Sequence, residues 1–115
     1  MPIFQDEFLF IDHSVVFFED RRLTLTRKEF ELLAVLSQNE GETIERDLLL
    51  ETVWGYCRGT RTRTLDVHVR RLRRKLGGYG ESYIQTIFGV GYRFSRLRPA
   101  RALVMPGPSV YAIGA

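Results

Sequence analysis

The stretch RTLDVHVRRLRRKL, residues 63–76, decides the fold of this chain. Its aliphatic residues recur with a period of about 3.6, which is the period of an α-helix. They form one stripe, which consists of Leu65, Val69, Leu72 and Leu76. Burying such a stripe against a core stabilises a fold by roughly 6–10 kcal/mol before conformational entropy is subtracted. The sequence therefore predicts an amphipathic helix over residues 63–76.

The opposite face of this helix is basic. Like charges at i,i+3 and i,i+4 repel one another, and within this stretch only Asp66 offsets the repulsion. Arginine carries a planar fork of donors that matches phosphate oxygens and the edge of guanine, and a helix has the width of the DNA major groove. This face therefore indicates a nucleic-acid partner. Its members are Arg63, Val67, Arg70, Arg71 and Arg74, with Thr64 and His68 on the flanks.

The two halves of the chain have net charges of opposite sign. Residues 1–57 hold 5 basic and 12 acidic side chains, a net of −7, whereas residues 58–115 hold 12 basic and 2 acidic, a net of +10. Such asymmetry points to a polyanionic partner for the second half. On charge alone, a solvated basic surface explains the pattern equally well.

Length and composition indicate one globular domain. The chain has 115 residues, of which 44% are hydrophobic and 27% charged. It contains no apolar run long enough for a membrane helix and no secretory signal pattern. Its single cysteine, Cys57, cannot form an internal disulfide. We therefore expect a cytoplasmic protein without membrane contacts.

Strand and helix signals precede the basic helix. Residues 7–12, 14–19 and 22–25 are rich in strand formers and predict a small antiparallel sheet. Thr26 and Glu29 fit a capping box that begins a helix, and Asn39 with Gly41 ends it. The predicted inward face of that helix is Phe30, Leu33, Ala34 and Leu36.

A second helix is predicted over residues 46–53. Its start is poorly capped, because Glu45 stands where a small hydroxyl side chain is usual. Its predicted inward residues are Leu48, Leu49 and Val53, and residues 55–62 after it form a polar loop.

A β-hairpin is predicted after the basic helix, which Gly77 and Gly78 end. Residues 83–88 and 92–94 alternate in polarity, and residues 89–91 join them. We expect Ile84, Ile87 and Phe94 to complete the core. Residues 97–115 are rich in proline and glycine and are predicted to be a partly disordered tail, outside a domain of residues 1–96.

These elements predict an α+β winged helix-turn-helix fold: an N-terminal antiparallel sheet, three helices and a C-terminal β-hairpin wing. An enzyme is not expected, because Ser14, Cys57 and Ser82 have no paired base at a recognisable spacing. Neither a cofactor nor a metal site is expected, since His68 has no second ligand nearby.

Four motifs together resemble a known family. LTRKEFELL (25–33), LLLETVWG (48–55), the basic helix and IQTIFGVGYRFS (84–95) occur in the order and spacing of the effector domain of OmpR/PhoB-type response regulators. The resemblance spans roughly residues 8–96. It implies a four-stranded N-terminal sheet, a recognition helix in the DNA major groove, and a role in transcription regulation by two-component systems.

The resemblance also implies roles for single residues. Val67, His68 and Arg71 match positions that face bases. Positions near the DNA phosphates match Trp54, Arg63, Thr64, Arg70, Arg73 and Thr86. The residues themselves add Arg58, Arg61 and Arg74 as phosphate donors, and Gly89, Gly91 and Arg93 as candidate contacts of the wing with an adjacent groove. A core-anchoring role remains the alternative for Trp54.

Partners beyond DNA follow from the same resemblance. The loop of residues 55–62 matches a segment that contacts RNA polymerase in some members, and members commonly bind tandem half-sites as homodimers. An arginine that is common in the wing of family members, where it enters the minor groove, is replaced here by Phe88, so this chain lacks that cation in its wing. No receiver domain is present, so the chain is expected to be an isolated effector domain or a stand-alone regulator.

A second function stays open at this point. A winged helix also serves as a protein-interaction module, in which the basic helix would meet an acidic partner. DNA binding is distinguished by a steep salt dependence and a sequence preference.

Overall fold

The computed structural model describes residues 1–97. The chain begins with a four-stranded antiparallel sheet. The strands pair in chain order, and alternate side chains on β2 and β3 point into the core. The strands are β1 (Phe4–Gln5), β2 (Leu9–Ile11), β3 (Val16–Phe18) and β4 (Arg21–Arg22).

The sheet differs from the three strands predicted from strand formers. β1 was not predicted from composition, because only two of its residues pair with β2. The last strand covers Arg21–Arg22 instead of residues 22–25. Glu19 and Asp20 adopt positive φ angles of 52° and 66°, which turns the chain within two residues so that pairing resumes at Arg21.

Helix α1 (Arg27–Gln38) begins and ends where the sequence predicted. The Thr26 hydroxyl accepts a hydrogen bond from the Glu29 amide at 3.2 Å, and the Glu29 carboxylate accepts one from the Thr26 amide at 2.9 Å. Asn39 is the C-cap. The predicted inward face is partly wrong: Leu32 is fully buried together with Leu33 and Leu36, whereas Phe30 and Ala34 are only half-buried.

Helix α2 (Arg46–Leu49) continues as a π-helical turn over Leu50–Trp54. Glu45 makes no side-chain cap, as its type predicted. The prediction that Leu48 points inward is wrong, because its side chain is 45% exposed. The buried residues of this segment are Leu49, Leu50 and Val53. Leu49 and Val53 are buried as predicted, and Leu50 takes the place predicted for Leu48.

Helix α3 (Thr64–Lys75) confirms the amphipathic stripe. The relative exposure of Leu65, Val69, Leu72 and Leu76 is at most 1%. Gly77, with φ of 62°, ends the helix, and a 3-10 turn (Gly77–Tyr79) leads into a short helix α4 (Gly80–Tyr83).

Helix α4 was not predicted. It occupies the chain up to Tyr83, where the sequence analysis placed the start of a strand. Tyr83 is fully buried, and its hydroxyl donates to the Asp6 carboxylate. Burial of the hydroxyl is the main cause that raises the pKa of Tyr83, and the hydrogen bond to Asp6 raises it further.

The hairpin of β6 (Ile84–Ile87) and β7 (Gly91–Phe94) confirms the predicted wing. A strand that was not predicted, β5 (Thr43–Glu45), pairs with β7, so the second sheet has the order β5-β7-β6. A Cβ atom on Gly91 would collide with the Ile44 carbonyl oxygen. The bare Gly91 backbone therefore allows the wing to lie against β5.

The core lies between the two sheets and packs them against α1, α2 and α3. Ile84 and Phe94 are fully buried, as predicted. The prediction for Ile87 is wrong, because its side chain is only half-buried and does not join the core cluster. Within residues 1–97 no helix combines the length and the apolar character that crossing a membrane requires. The predicted tail falls, apart from Leu97, outside the described residues.

Gly80 provides a test of how α3 and α4 pack. A Cβ at this position would collide with the backbone of Arg73, whereas one at Gly78 would meet nothing within 4 Å. We expect Gly80→Ala to lower the free energy of unfolding by about 1–3 kcal/mol through overpacking. The matched control Gly78→Ala should stay within about 0.5 kcal/mol of wild type. Urea denaturation measures both, and equal midpoints for the two variants would contradict the packing.

Candidate nucleic-acid interface

The outward side of α3 presents four exposed arginines without acidic partners. Within residues 1–97 none of these guanidinium groups forms a salt bridge, although arginines elsewhere in the chain do. Val67, His68 and Thr64 are half-buried beside them. We call Arg63, Arg70, Arg71 and Arg74 the arginine face. Four like charges without salt bridges, one at the N-cap of α3 and three on the helix, make this surface strongly positive.

The first turn of α3 is fixed by a partly exposed hydrogen-bond network around Asp66. Its Oδ1 accepts from Arg46 Nη1 at 2.7 Å and from the Tyr92 hydroxyl at 2.7 Å. Arg46 also donates to the Thr62 carbonyl at 2.6 Å. Burial works against the charge of Asp66, but the bonds from Arg46 and Tyr92 outweigh it and lower the pKa of Asp66. Burial and the Asp66 bond raise the pKa of Tyr92 to about 12.

Arg73 joins the middle of α3 to the wing. Its guanidinium donates twice to the Ile84 carbonyl, at 2.9 and 2.6 Å, and once to the Thr86 hydroxyl at 2.7 Å. It also lies over the Tyr92 ring, 5.7 Å from the centroid. Arg73 and Thr86, both predicted to approach phosphate, are therefore hydrogen-bonded to each other. Arg73 also has a structural role, because it connects α3 to the first strand of the wing.

The last turn of α3 is anchored by Lys75. Its ammonium group donates to the Glu29 carboxylate at 2.7 Å and to the Thr24 carbonyl at 2.8 Å. Glu29 is only 1% exposed. Burial alone would raise the pKa of Glu29, but the hydrogen bonds from Lys75 and the Thr26 backbone, with the charge of Lys75, lower it.

Trp54 packs edge-on against His68, with ring centroids 4.9 Å apart. His68 Nδ1 lies 2.8 Å from the Thr64 carbonyl oxygen. Because a carbonyl oxygen only accepts, Nδ1 carries the proton and Nε2 is the acceptor of the neutral ring. Trp54 is half-buried against the core, as the core-anchoring alternative predicted, and it also orients a predicted base-reading residue.

The loop of residues 55–62 is fastened to the start of α2. Arg58 donates to the Glu45 carboxylate at 2.7 Å, and the Gly59 amide donates to Asp47 at 3.2 Å. Arg58 therefore forms a salt bridge with an acidic neighbour in the same molecule, Glu45. Arg61 is exposed and has no salt bridge within the described residues.

The wing presents one charged and one apolar candidate. Arg93 donates through Nε and Nη2 to the Gln85 side chain, at 2.9 and 2.8 Å, across the two strands of the hairpin. Phe88, at the tip, is 90% exposed, and Gly89 follows it with φ of 79°.

Three of the residues predicted to contact DNA line one groove. An open groove of about 620 Å³ runs between α3 and the second sheet, and Arg70, Arg73 and Arg74 line it together. Arg58 and Arg93 instead bond to side chains of the same molecule.

The residues that position α3 were missed by the sequence analysis. Helical periodicity identifies which face is buried, but it carries no signal for polar bonds between distant segments. Asp66–Arg46 and Lys75–Glu29 span 20 and 46 positions along the chain. Only the capping box drew attention to Glu29, and it indicated a helix start rather than an anchor.

Among residues 1–97 no group of three or more His, Cys, Asp and Glu side chains could hold a metal ion. Cys57 is an exposed free thiol.

Comparison with protein families gives one match over most of the folded region. The family model described as "Transcriptional regulatory protein, C terminal" matches residues 20–94. The transcriptional regulatory protein VxrB of Vibrio cholerae is 50% identical over 78 residues, which are 68% of this chain and 31% of VxrB. The alkaline phosphatase synthesis transcriptional regulatory protein PhoP of Bacillus subtilis is 44% identical over 84 residues, 71% of this chain and 35% of PhoP. The chain thus spans about a third of the length of these curated relatives.

Solved structures share the fold. Response regulator DrrB of Thermotoga maritima, described as an OmpR/PhoB homologue, aligns with a TM-score of 0.72 and 35% identity, over 81% of this chain and 44% of DrrB. The DNA-binding domain of RstA from Klebsiella pneumoniae, solved in complex with the RstA box, aligns with a TM-score of 0.73 and 28% identity, over 80% of this chain and 95% of that domain.

The Glu29–Lys75 pair generates a prediction about pH. Glu29→Gln keeps the capping geometry but removes the charge, so we expect it to lower the free energy of unfolding at pH 7 by about 1–3 kcal/mol. The pKa of Glu29 is depressed in the folded state. The contribution is therefore complete above the unfolded pKa of about 4.3 and is lost as pH falls through the lower folded value.

Urea denaturation of wild type and Glu29→Gln between about pH 3 and 7 measures this difference. The two stability curves should converge on the acid side. Glu42→Gln, at an exposed glutamate of the loop after α1, is the matched control and should run parallel to wild type. A gap that stays constant down to pH 3 would assign the effect of Glu29→Gln to something other than its charge.

Proposed function

Since the chain belongs to the family of C-terminal effector domains of OmpR/PhoB-type transcriptional regulatory proteins, we propose that it binds double-stranded DNA sequence-specifically and regulates transcription. The observation that carries this proposal is the arginine face, four unpaired cations on a helix that the core holds outward. The likeness to the RstA domain, solved in complex with its DNA box, supports the same function. The family implies a role other than catalysis.

In this mode, α3 enters the major groove. The exposed Arg71 and the half-buried Val67 are proposed to read base edges, with His68 beside them. His68 offers Nε2 as an acceptor when neutral, which suits the amino group of adenine or cytosine.

Phosphate contacts surround this reading surface. The Arg63 and Arg70 side chains are exposed, and neither forms a salt bridge within residues 1–97; Arg63 lies at the N-cap of α3 and Arg70 near its middle. Arg61 in the preceding loop extends the positive surface. The further members of the proposed phosphate set are Trp54, Arg58, Thr64, Arg73, Arg74 and Thr86.

Other partners are proposed from the family resemblance. The loop of residues 55–62, fixed to α2 through Arg58 and Gly59, is a candidate surface for RNA polymerase. Two copies are proposed to bind tandem half-sites of one duplex, because such a site offers each arginine face its own stretch of major groove. A cytoplasmic location follows from the proposed DNA target.

Arg70 tests the phosphate role. Fluorescence anisotropy of a mixed-sequence duplex, titrated at several salt concentrations, should show affinity falling steeply with salt. We expect Arg70→Ala to weaken binding to all sequences and to lower the salt slope by about one unit, since one phosphate contact is lost.

The control is Arg96→Ala, which removes the same charge from a residue paired with Glu40 outside α3. Its slope should match wild type. An unaltered slope for Arg70→Ala would contradict the phosphate role. No binding by the wild-type chain at low salt would favour an acidic protein as the partner of the arginine face.

Arg71 tests base reading. A preferred site is first selected from a random duplex pool with the wild-type chain. Arg71→Ala should then bind that site about 5- to 150-fold more weakly, which corresponds to about 1–3 kcal/mol, and should lose discrimination at one base pair. Its affinity for unrelated duplexes should change far less. Retention of full discrimination at each position of the site would remove Arg71 from the base-reading set.

A further inference from the structure

The imidazole ring of His68 is held through one of its two nitrogens. Nδ1 lies 2.8 Å from the Thr64 carbonyl oxygen, one turn earlier in α3. Because a carbonyl oxygen only accepts, Nδ1 carries a proton whether the ring is neutral or charged. The Trp54 ring packs against the imidazole, with centroids 4.9 Å apart. These two contacts hold the ring in the same orientation in both protonation states.

The second nitrogen of His68, Nε2, is left for a partner. It forms no hydrogen bond within the described part of the chain, where only Nδ1 is bonded. Among residues 1–97 no buried side-chain nitrogen or oxygen lacks a hydrogen-bond partner. An unbonded Nε2 is therefore not one of the buried atoms, and solvent or a ligand can reach it although the residue as a whole is half-buried.

The proton that charges the ring binds at this accessible nitrogen. In the neutral ring with a proton on Nδ1, Nε2 is an acceptor, and in the charged ring it is a donor. Imidazole side chains change charge between about pH 5 and 8. The chain has two histidines, and the other, His13, is exposed in the turn between β2 and β3. Protonation of His68 thus changes the polarity of one surface atom on α3 without turning the ring.

Charged groups of both signs surround His68. The charge of His68 contributes to the lowered pKa of Glu29 on α1, and Lys75 donates to the same carboxylate at 2.7 Å. Lys28, also on α1, donates at 2.8 Å to the backbone of the π-helical turn. Arg71 follows His68 by three positions on α3. None of these groups bonds to Nε2, so its polarity is set by the proton alone.

We propose that protonation of His68 reverses the base that this side chain prefers at one position of the DNA site. The neutral ring accepts from an exocyclic amino group, whereas the charged ring donates to N7 or O6 of guanine. Cytosine presents an amino donor in the major groove and guanine presents acceptors, so this pair of bases separates the two states most clearly. The inference rests on the proposed function and adds regulation by pH to the same reading surface.

The experiment compares base preference at two pH values. A site is selected from a random duplex pool with the wild-type chain at about pH 8, and each position is then tested with cytosine and with guanine by anisotropy. At one position the cytosine duplex should bind about three- to tenfold more tightly at about pH 8, because one hydrogen bond distinguishes the two bases. At about pH 5.5 the guanine duplex should bind more tightly by a similar factor.

Two variants and one spectrum sharpen the test. His68→Gln carries an amide that does not titrate, so its preference should be the same at both pH values, and circular dichroism checks its fold. His13→Gln removes the other histidine and should keep the reversal. In wild type at about pH 8, ¹⁵N nuclear magnetic resonance should place the imidazole proton on Nδ1.

A wild-type preference that is equal at both pH values at every position would overturn the inference. A rise in affinity for all duplexes alike at low pH would overturn it too, since the charge would then act on phosphates. A reversal that persists in His68→Gln or disappears in His13→Gln, or a proton found on Nε2 at about pH 8, would have the same effect. If the wild-type chain binds no duplex at pH 8 and low salt, the proposed function itself fails, and that result appears before any base is compared.

Discussion

The aliphatic stripe of α3 determines where the other parts of the molecule can lie. Leu65, Val69, Leu72 and Leu76 are buried among residues of both sheets and the other helices, and this burial fixes the rotation of α3 about its axis. With that rotation fixed, the arginine face lies on the side of α3 that points away from the core. The core contact thus supplies more than stability: it decides which side chains a partner meets.

Polar bonds complete what the apolar contact begins. Hydrophobic packing is non-directional and would tolerate a small tilt or slide of the helix. Asp66 at the first turn, Arg73 in the middle and Lys75 at the last turn each bond to a different neighbouring segment. Three such attachments along one helix fix its position along the axis as well as its tilt, which a reading surface needs in order to keep its register.

Much of the fold could be predicted because it depends on local pattern. The period of 3.6 identified α3 and its buried face, and the capping box located the start of α1. β5 and α4 were not predicted, since each is only three or four residues long and depends on packing against other elements. For the candidate site, the sequence identified the exposed arginines by their spacing. It could not show that Arg58 and Arg93 bond to Glu45 and Gln85, because those contacts depend on how the chain folds back on itself.

Two hydrogen bonds from Arg73 to the Ile84 carbonyl connect α3 to the hairpin, and the close fit of Gly91 against Ile44 connects the hairpin to β5. The helix and the hairpin form one stiff unit, so the angle between them does not adjust to a ligand. In the proposed complex, any mismatch between that angle and the geometry of straight B-form DNA must be absorbed by the duplex. Bending and groove compression cost less at flexible steps such as TA and CA than in stiff A-tracts. Base pairs that no side chain touches would then influence the choice of site through their deformability.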